Sequence, residues 1–336
     1  MADGGALLSD HQRPPQGRRR GLEIGLVNNM PDAALAATER QFAGLLQAGA
    51  GDVKVNLRLF SLPGVPRSEA ARAAMAGRYQ GLDALMSTPL DGLIVTGAEP
   101  RAADMRAEPY WDETARLVDW AGANTLSTYW SCLAAHAAVL RLDGIERRPL
   151  TQKCSGVFAC DRTGDDPLTA LLPTRFLTPH SRRNTVVASD LIDHGYELLS
   201  TSERVGPDLF VRRGKSLFLF AQGHPEYDAN SLLLEYCRDA ARFLRGEQPT
   251  MPGLPQGYFD PATEATLGAL AAEAEHTRAR ALLTRLGQIA RAFTPPHVWR
   301  PHAEALMRAW LRQIAQMKGA SMRPIRQAPV RQAAVS

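Results

Sequence analysis

The spacing of apolar positions changes between two periods along the chain, and the changes mark its elements. Residues 22–28 are apolar and β-capable and close on Asn29-Met30-Pro31. Over 33–48, Leu35, Phe42, Leu45 and Leu46 return on one side of a helix. Residues 53–62 alternate, with Val53, Val55, Leu57 and Leu59 apolar, as a half-exposed strand requires. A helix is predicted over 69–86, with Gly77 and Gly81 inside it. Residues 91–96 read as a short buried strand ending at Gly97, and 110–123 as an amphipathic helix. A strand over 125–131 and a helix over 133–142 follow.

Strands alternating with helices predict an α/β fold. The expected form is a flavodoxin-like, doubly wound, mostly parallel sheet with helices on both faces. In the second half, 154–160 reads as a β-like turn region. Residues 208–212 and 216–220 read as a hairpin turning at Arg213-Gly214-Lys215. A helix over 229–244 follows, then one or two polar-faced helices within 260–292. The last helix, 299–317, carries Leu306, Trp310 and Ile314 on one face. No internal repeat is visible. The expected organisation is one α/β domain over 21–318, between a disordered basic segment (1–20) and a disordered basic tail (319–336).

With 336 residues, 45% of them hydrophobic, the chain can bury a large core. A net charge of +4 is too mild to suggest a nucleic-acid partner. No apolar stretch approaches the roughly 20 residues that span a bilayer. The N-terminal arginines are followed by no apolar run, so no secretory signal is read there. A cytoplasmic protein without a membrane partner is expected. Cys132, Cys154, Cys160 and Cys237 are scattered and form no C-x-x-C pair. That suits a reducing compartment and offers no zinc-ligand spacing, so no metal is expected.

The candidate chemistry lies at two strand ends. Gly223-His224-Pro225-Glu226 follows the apolar run 216–220, so His224 and Glu226 stand where a strand gives way to a loop. A histidine with a carboxylate two residues on is a general base with its own orienter. A nucleophile is missing locally. Cys132 is the best candidate, at a junction where strand 125–131 meets helix 133–142. In such an elbow the helix N-terminus faces the thiol, and the backbone N–H of Leu133 can hold a developing oxyanion. The plain alternatives are a buried core thiol for Cys132 and a surface loop for His224 and Glu226. His180, between Pro179 and the arginines Arg182 and Arg183, reads as part of a polar loop that binds an anion or only makes a turn. His136 and His302 read as packing residues.

Several segments, in order from about residue 22 to 312, resemble the homoserine O-succinyltransferase family. These are acyltransferases on the class I glutamine amidotransferase fold. The matching pieces are Asn29-Met30-Pro31 with Thr38-Glu39-Arg40-Gln41-Phe42, residues 91–98, Tyr110-Trp111, Ser127-Thr128 and Cys132. Lys153 with Ser155-Gly156-Val157, residues 176–182 and 223–228, Glu235 and Arg238-Asp239, and Trp299-Arg300 with His302 and Trp310-Leu311 complete the series. An insertion falls near 260–292. The resemblance implies a Cys132-His224-Glu226 triad that takes an acyl group from acyl-CoA and passes it to an amino-acid hydroxyl. Succinyl-CoA is the favoured co-substrate over acetyl-CoA, and no permanently bound cofactor is implied. It implies substrate-binding roles for Arg238, Lys153, Ser181 and Arg182.

Two departures stand out. Asp32 and Ala33 occupy positions where the family has lysines. Arg101 occupies the position that tracks acyl choice, normally glycine or glutamate, and is a substrate-binding candidate that would pair with the free carboxylate of succinyl-CoA, contact CoA phosphates or point outward. Homoserine or a related hydroxy-amino acid such as serine is the expected acceptor, and a homodimer is compatible with the family. A hydrolase or amidotransferase on the same fold, or a non-catalytic binding module, remains open as an alternative.

Overall fold

The computed structural model describes residues 21–321. Its first half is a strand–helix alternation: β1 (Leu22–Val27), α1 (Asp32–Ala50), β2 (Val55–Phe60), α2 (Glu69–Met75), the short β3 (Tyr79–Gln80), α3 (Leu82–Met86), β4 (Gly92–Thr96), α4 (Trp111–Asn124), β5 (Ser127–Ser131) and α5 (Leu133–Asp143). The second half runs through β6 (Arg148–Arg162), β7 (Arg175–Thr185), α6 (Ala188–Asp193), β8 (Glu197–Ser202), β9 (Gly206–Arg212) and β10 (Leu217–Ala221). It ends with α7 (Ser231–Leu244), α8 (Pro261–His276), α9 (Arg280–Ala292) and α10 (Arg300–Ser321).

All ten strands form one sheet in the order β3-β2-β1-β4-β5-β10-β9-β8-β6-β7. From β3 to β10 every pairing is parallel; from β10 to β7 every pairing is antiparallel. The α/β sheet is therefore parallel where strands and helices alternate. It turns antiparallel at the β9–β10 hairpin, whose register joins Arg212 to Phe218.

The parallel strands are buried on both faces, which is why their sequences are continuous apolar runs. Every residue of β4, β5 and β10 is buried. Alternate side chains serve two cores. Val27, Leu93, Val95, Trp130, Phe218 and Phe220 pack with Leu117 and Val118 of α4 and Ala138 and Val139 of α5. Leu26, Ile94, Tyr129 and Leu219 pack on the other face with Phe42 and Leu45 of α1 and Trp310 and Ile314 of α10. Trp310 is fully enclosed, and its indole N–H donates to Ser127 Oγ at 2.8 Å. A third cluster joins Tyr236 and Phe243 of α7 to Leu267, Leu270, Leu282 and Leu286 of α8 and α9. The two polar-faced helices thus clamp α7 from outside and fix its inner face over the strand ends.

Four expectations change. The single helix over 69–86 is two short helices with β3 between them. Ala76 leaves helical geometry at ψ 133° and Gly77 takes φ +74°, which frees Tyr79–Gln80 to extend the sheet beside β2. Residues 154–160 are not a turn but the middle of a 15-residue strand. His180 lies not in a loop but in β7, paired across to Gly156. Residues 319–321 of the expected tail continue α10. The rest of that tail, and segment 1–20, lie outside the described residues. None of the described helices is long and apolar enough to cross a membrane.

Candidate active site

Cys132 joins β5 to α5 with φ 50° and ψ −110°. It is the only non-glycine residue with positive φ among the described residues. Such a conformation costs about 1–3 kcal/mol and persists only where its surroundings enforce it. Here they do. The Cys132 N–H donates to Ala221 O at 2.7 Å, tying the turn to the end of β10. Gly97, at the end of β4, presses on the first turn of α5. A Cβ on Gly97 would overlap Leu133 Cβ and sit 3.0 Å from Ala134 N. The first amides of α5 have no partner within the helix, and Leu133 lines a cleft together with Cys132.

His224 follows β10 after Gln222 and Gly223. Its backbone N–H donates to Pro179 O at 2.7 Å, and its ring stacks on Tyr227 with centroids 4.3 Å apart. Its Nδ1 is 2.9 Å from Glu226 Oε1, which also accepts the Ser131 hydroxyl at 3.1 Å. Both side chains are buried. The Cys132 sulfur faces the His224 ring across the same cleft. With Nδ1 taken by Glu226, the sulfur is left facing Nε2. Burial alone would push the imidazole down. The facing Cys132 sulfur and Glu226 carboxylate outweigh burial and hold its pKa well above the ordinary histidine value. The three residues expected to meet do meet.

A second polar layer surrounds this core. Lys153 Nζ lies 3.2 Å from Glu235 Oε2 and 3.0 Å from Asp239 Oδ2. Glu235 also accepts the Ser181 hydroxyl, and the Tyr227 hydroxyl at 2.6 Å. Arg238 Nε donates to Asp239 Oδ1 at 2.9 Å. Burial opposes ionisation of Glu235, but Lys153, Ser181 and Tyr227 hold its pKa below the usual carboxylate range. Lys153 and Arg238 do the same for Asp239 against its own burial. These groups and the Cys132–His224 pair line one cleft of about 420 Å³.

The family model for homoserine O-succinyltransferase matches residues 2–319. The chain belongs to the homoserine O-succinyltransferase family. A relative from Rhodopseudomonas palustris named homoserine O-succinyltransferase is 52% identical over 312 residues, covering 92% of this chain and 94% of that protein. A Bradyrhizobium japonicum protein of the same name is 47% identical over 309 residues, covering 90% and 94%. Among solved structures, a Thermotoga maritima glutamine amidotransferase superposes with a TM-score of 0.50 at 13% identity. That superposition covers 88% of this chain and 99% of that one, and bears on the fold alone.

Within this family frame, Arg101 and Arg182 stand apart from the other expected residues. Arg101 does not line the Cys132 cleft. Its amide is fixed by Glu108 Oε1 at 2.6 Å, and it borders an adjoining hollow with Asp32 that shares Pro31, Ala98, Glu99 and Pro100 with the cleft. Arg182 does line the cleft, but its buried guanidinium is spent on protein acceptors: Asn184 O at 2.7 Å, Val205 O, and His180 Nδ1 at 3.5 Å. His136 packs as expected, its Nε2 3.0 Å from Gln222 Oε1. His302 receives the Leu177 N–H at 3.3 Å.

Sequence reasoning assigned no role to Ser131, Tyr227, Glu235 or Asp239, although three of them fell in matching segments. The signal was the spacing of Glu235, Arg238, Asp239 and Arg242, which puts all four on one face of α7. Also unassigned were Asp208 and Cys160 beside His180. Cys160 Sγ, His180 Nε2 and an Asp208 carboxylate oxygen lie within 4.8 Å of one another, all buried. His180 Nε2 and Asp208 Oδ1 are 3.3 Å apart, while Asp208 Oδ2 accepts Ser200 Oγ at 3.0 Å. The Cys160 thiol is driven far above its ordinary range by burial and by Asp208.

Proposed function

We propose that this chain is a succinyl-CoA-dependent homoserine O-succinyltransferase of methionine biosynthesis, acting through a thioester on Cys132. The observation that carries the reading is a strained cysteine held against a buried His–Glu pair, in a member of this family. His224, oriented by Glu226, takes the proton of the Cys132 thiol as general base, giving the thiolate beside an imidazolium. The thiolate attacks the succinyl carbonyl of succinyl-CoA. The backbone N–H of Leu133 receives the developing oxyanion at the α5 N-terminus. The tetrahedral adduct collapses, the C–S bond to CoA breaks, and the leaving thiolate takes the proton from His224 Nε2. His224, now neutral, accepts the proton of the homoserine hydroxyl as its oxygen attacks the Cys132 thioester. Collapse releases O-succinylhomoserine and restores the thiolate–imidazolium pair. Glu226 fixes the imidazole tautomer and stabilises the cation throughout.

The second polar layer suits an amino acid. Glu235 matches its ammonium, and Arg238 and Lys153 match its carboxylate. Ser181 positions Glu235. Arg182 shapes the wall through its backbone bonds. The cytoplasm is the proposed compartment.

The test is intact-mass analysis after mixing enzyme with succinyl-CoA or acetyl-CoA, followed by an acceptor panel of homoserine, serine, water and ammonia. A succinyl adduct on Cys132 that homoserine discharges is expected. Discharge by water or ammonia alone would favour a hydrolase or amidotransferase. No adduct with either donor would end the reading.

A further inference from the structure

The cleft carries more positive charge than the amino acid needs. Lys153, Arg182 and Arg238 all have protein partners, as described above. Arg183 and Arg242 line the same cleft, and among the described residues no hydrogen bond or ion pair engages either guanidinium. Asp239, three residues before Arg242 on α7, is bonded by Lys153 and Arg238, and Glu247, five residues after it, is bonded by Arg245.

Their placement is regular. On α7, Glu235, Arg238 and Arg242 recur at helical spacing, so Arg242 lies about 10 Å along the axis from Glu235. On β7, side chains alternate between faces, so Ser181 and Arg183 share the face toward the cleft, about 7 Å apart. Ser181 reaches Glu235 from that face. Pro179, two residues earlier on β7, is bonded to the His224 amide, and α7 begins three residues after Tyr227 and Asp228. Both rows therefore start at the catalytic turn and run outward. Each ends in an arginine whose guanidinium no hydrogen bond or ion pair engages, although Arg242 lies close enough to Glu247 to favour its charged form.

We propose that Arg183 and Arg242 form an anion clamp for the acyl donor, taking a carboxylate or phosphate oxygen that the acceptor does not supply. The inference rests on the acyl-CoA reading above. Homoserine has one carboxylate and one ammonium, and both are matched deeper in the cleft. The donor brings the remaining anions: the distal carboxylate of the succinyl group and the phosphates of CoA. A planar guanidinium suits either through paired N–H donors.

The experiment uses Arg183→Gln, Arg242→Gln, the double variant and the two Arg→Lys variants. Each is assayed with succinyl-CoA, acetyl-CoA and succinyl-pantetheine at saturating homoserine. Each Gln change is expected to raise the donor KM about tenfold, the factor equivalent to 1.4 kcal/mol. The homoserine KM and the melting temperature should stay put, and the Lys variants should recover part of the loss. A loss with both succinyl donors but not acetyl-CoA assigns the clamp to the succinyl carboxylate. A loss with both CoA esters but not the pantetheine ester assigns it to phosphate. Unchanged donor KM values, or a rise confined to homoserine, overturn the clamp while leaving the proposed function standing. Wild-type enzyme that accepts none of the three donors overturns both.

Discussion

The amide of Cys132 donates to the carbonyl of Ala221 at 2.7 Å, so the nucleophile's turn is fastened to the strand that delivers the base. Ser131 and Ala221 are register partners in the parallel β5–β10 pair. Cys132 and His224 thus leave the sheet from adjacent strand ends, and their separation is set by the ladder rather than by loop conformation.

This fastening holds Cys132 in a conformation that glycine adopts freely. Cys132→Gly and Cys132→Ala should both abolish acyl transfer. Both lose the sulfur, but only glycine relieves the strain. Cys132→Gly should therefore be more stable than Cys132→Ala by roughly 1 kcal/mol, the low end of what such strain costs. Denaturant midpoints of the two variants check this. Equal midpoints would mean that the φ of 50° stores no strain.

The raised pKa of His224 has a defined consequence for stability. Its folded value lies above the unfolded value near 6.5, so the imidazolium's stabilising contribution is complete below about pH 6.5. It is lost as pH rises through the folded value. Glu226→Gln removes one of the charges that raise it, so the alkaline loss should begin at lower pH. The same change should lower kcat by about 10³–10⁴, as neutralising the orienter of a triad does. Thermal melts across pH 6 to 10 and steady-state rates read the two effects. An unchanged alkaline profile would mean that Glu226 does not support the charge.

His136 works in the opposite direction. Burial pushes its pKa down to about 4, and its Nδ1 has no partner for a second proton. Its folded value is below the unfolded one, so native protein should lose stability as pH falls from about 6.5 to about 4. The loss amounts to about 3 kcal/mol at 1.36 kcal/mol per unit. His136→Gln should flatten the acid limb of the stability profile. If the variant melts in parallel with wild type across that window, the proton is taken up elsewhere.

How much of this was legible depended on burial. Strands covered on both faces write themselves as apolar runs, so β4 and β10 stood out. The elbow at Cys132 followed from the strand–helix junction alone. The β6–β7 arm did not stand out, because Thr151, Gln152 and Lys153 are polar or half-exposed there and alternate with nothing. The second polar layer was hidden for a related reason. Glu235, Arg238, Asp239 and Arg242 have the spacing of any solvated helix face, and only the packing of α8 and α9 on the opposite side turns that face inward. Where Arg101 points was not legible, because backbone direction in the 97–104 loop cannot be read from residue identity. Glu99 lines the cleft there, and Arg101 lines the adjoining hollow.

Gly223 shows how closely the base is buttressed. A Cβ there would overlap Thr178 Cγ2 and lie 2.9 Å from Asp208 Oδ1 and 3.0 Å from His180 Nε2. Gly223→Ala must therefore shift the following residue, His224, or push back the His180–Asp208 pair. An overpacking cost of about 1–3 kcal/mol is expected, with kcat falling more steeply than KM rises. Thr178→Ser deletes the overlapping methyl and should restore part of the activity in the double variant. If Gly223→Ala turns over normally, the base is not held from behind.

Lys153 gives the sharpest separation of the two half-reactions. Its ammonium bridges Glu235 and Asp239 at 3.2 and 3.0 Å, and both carboxylates are held ionised partly by it. Lys153→Met leaves two carboxylates together without their shared cation. The cleft then offers less charge to the acceptor's carboxylate, and Glu235 is no longer fixed where the ammonium should sit. Losing one or two charge-assisted contacts of about 1.5–3 kcal/mol should raise the homoserine KM by about 10- to 100-fold. Formation of the Cys132 adduct should continue at nearly the wild-type rate, since Lys153 bonds neither Cys132 nor His224. Rapid-mix mass analysis separates adduct formation from discharge. A variant that acylates slowly but discharges normally would move Lys153 from the acceptor's side of the cleft to the donor's.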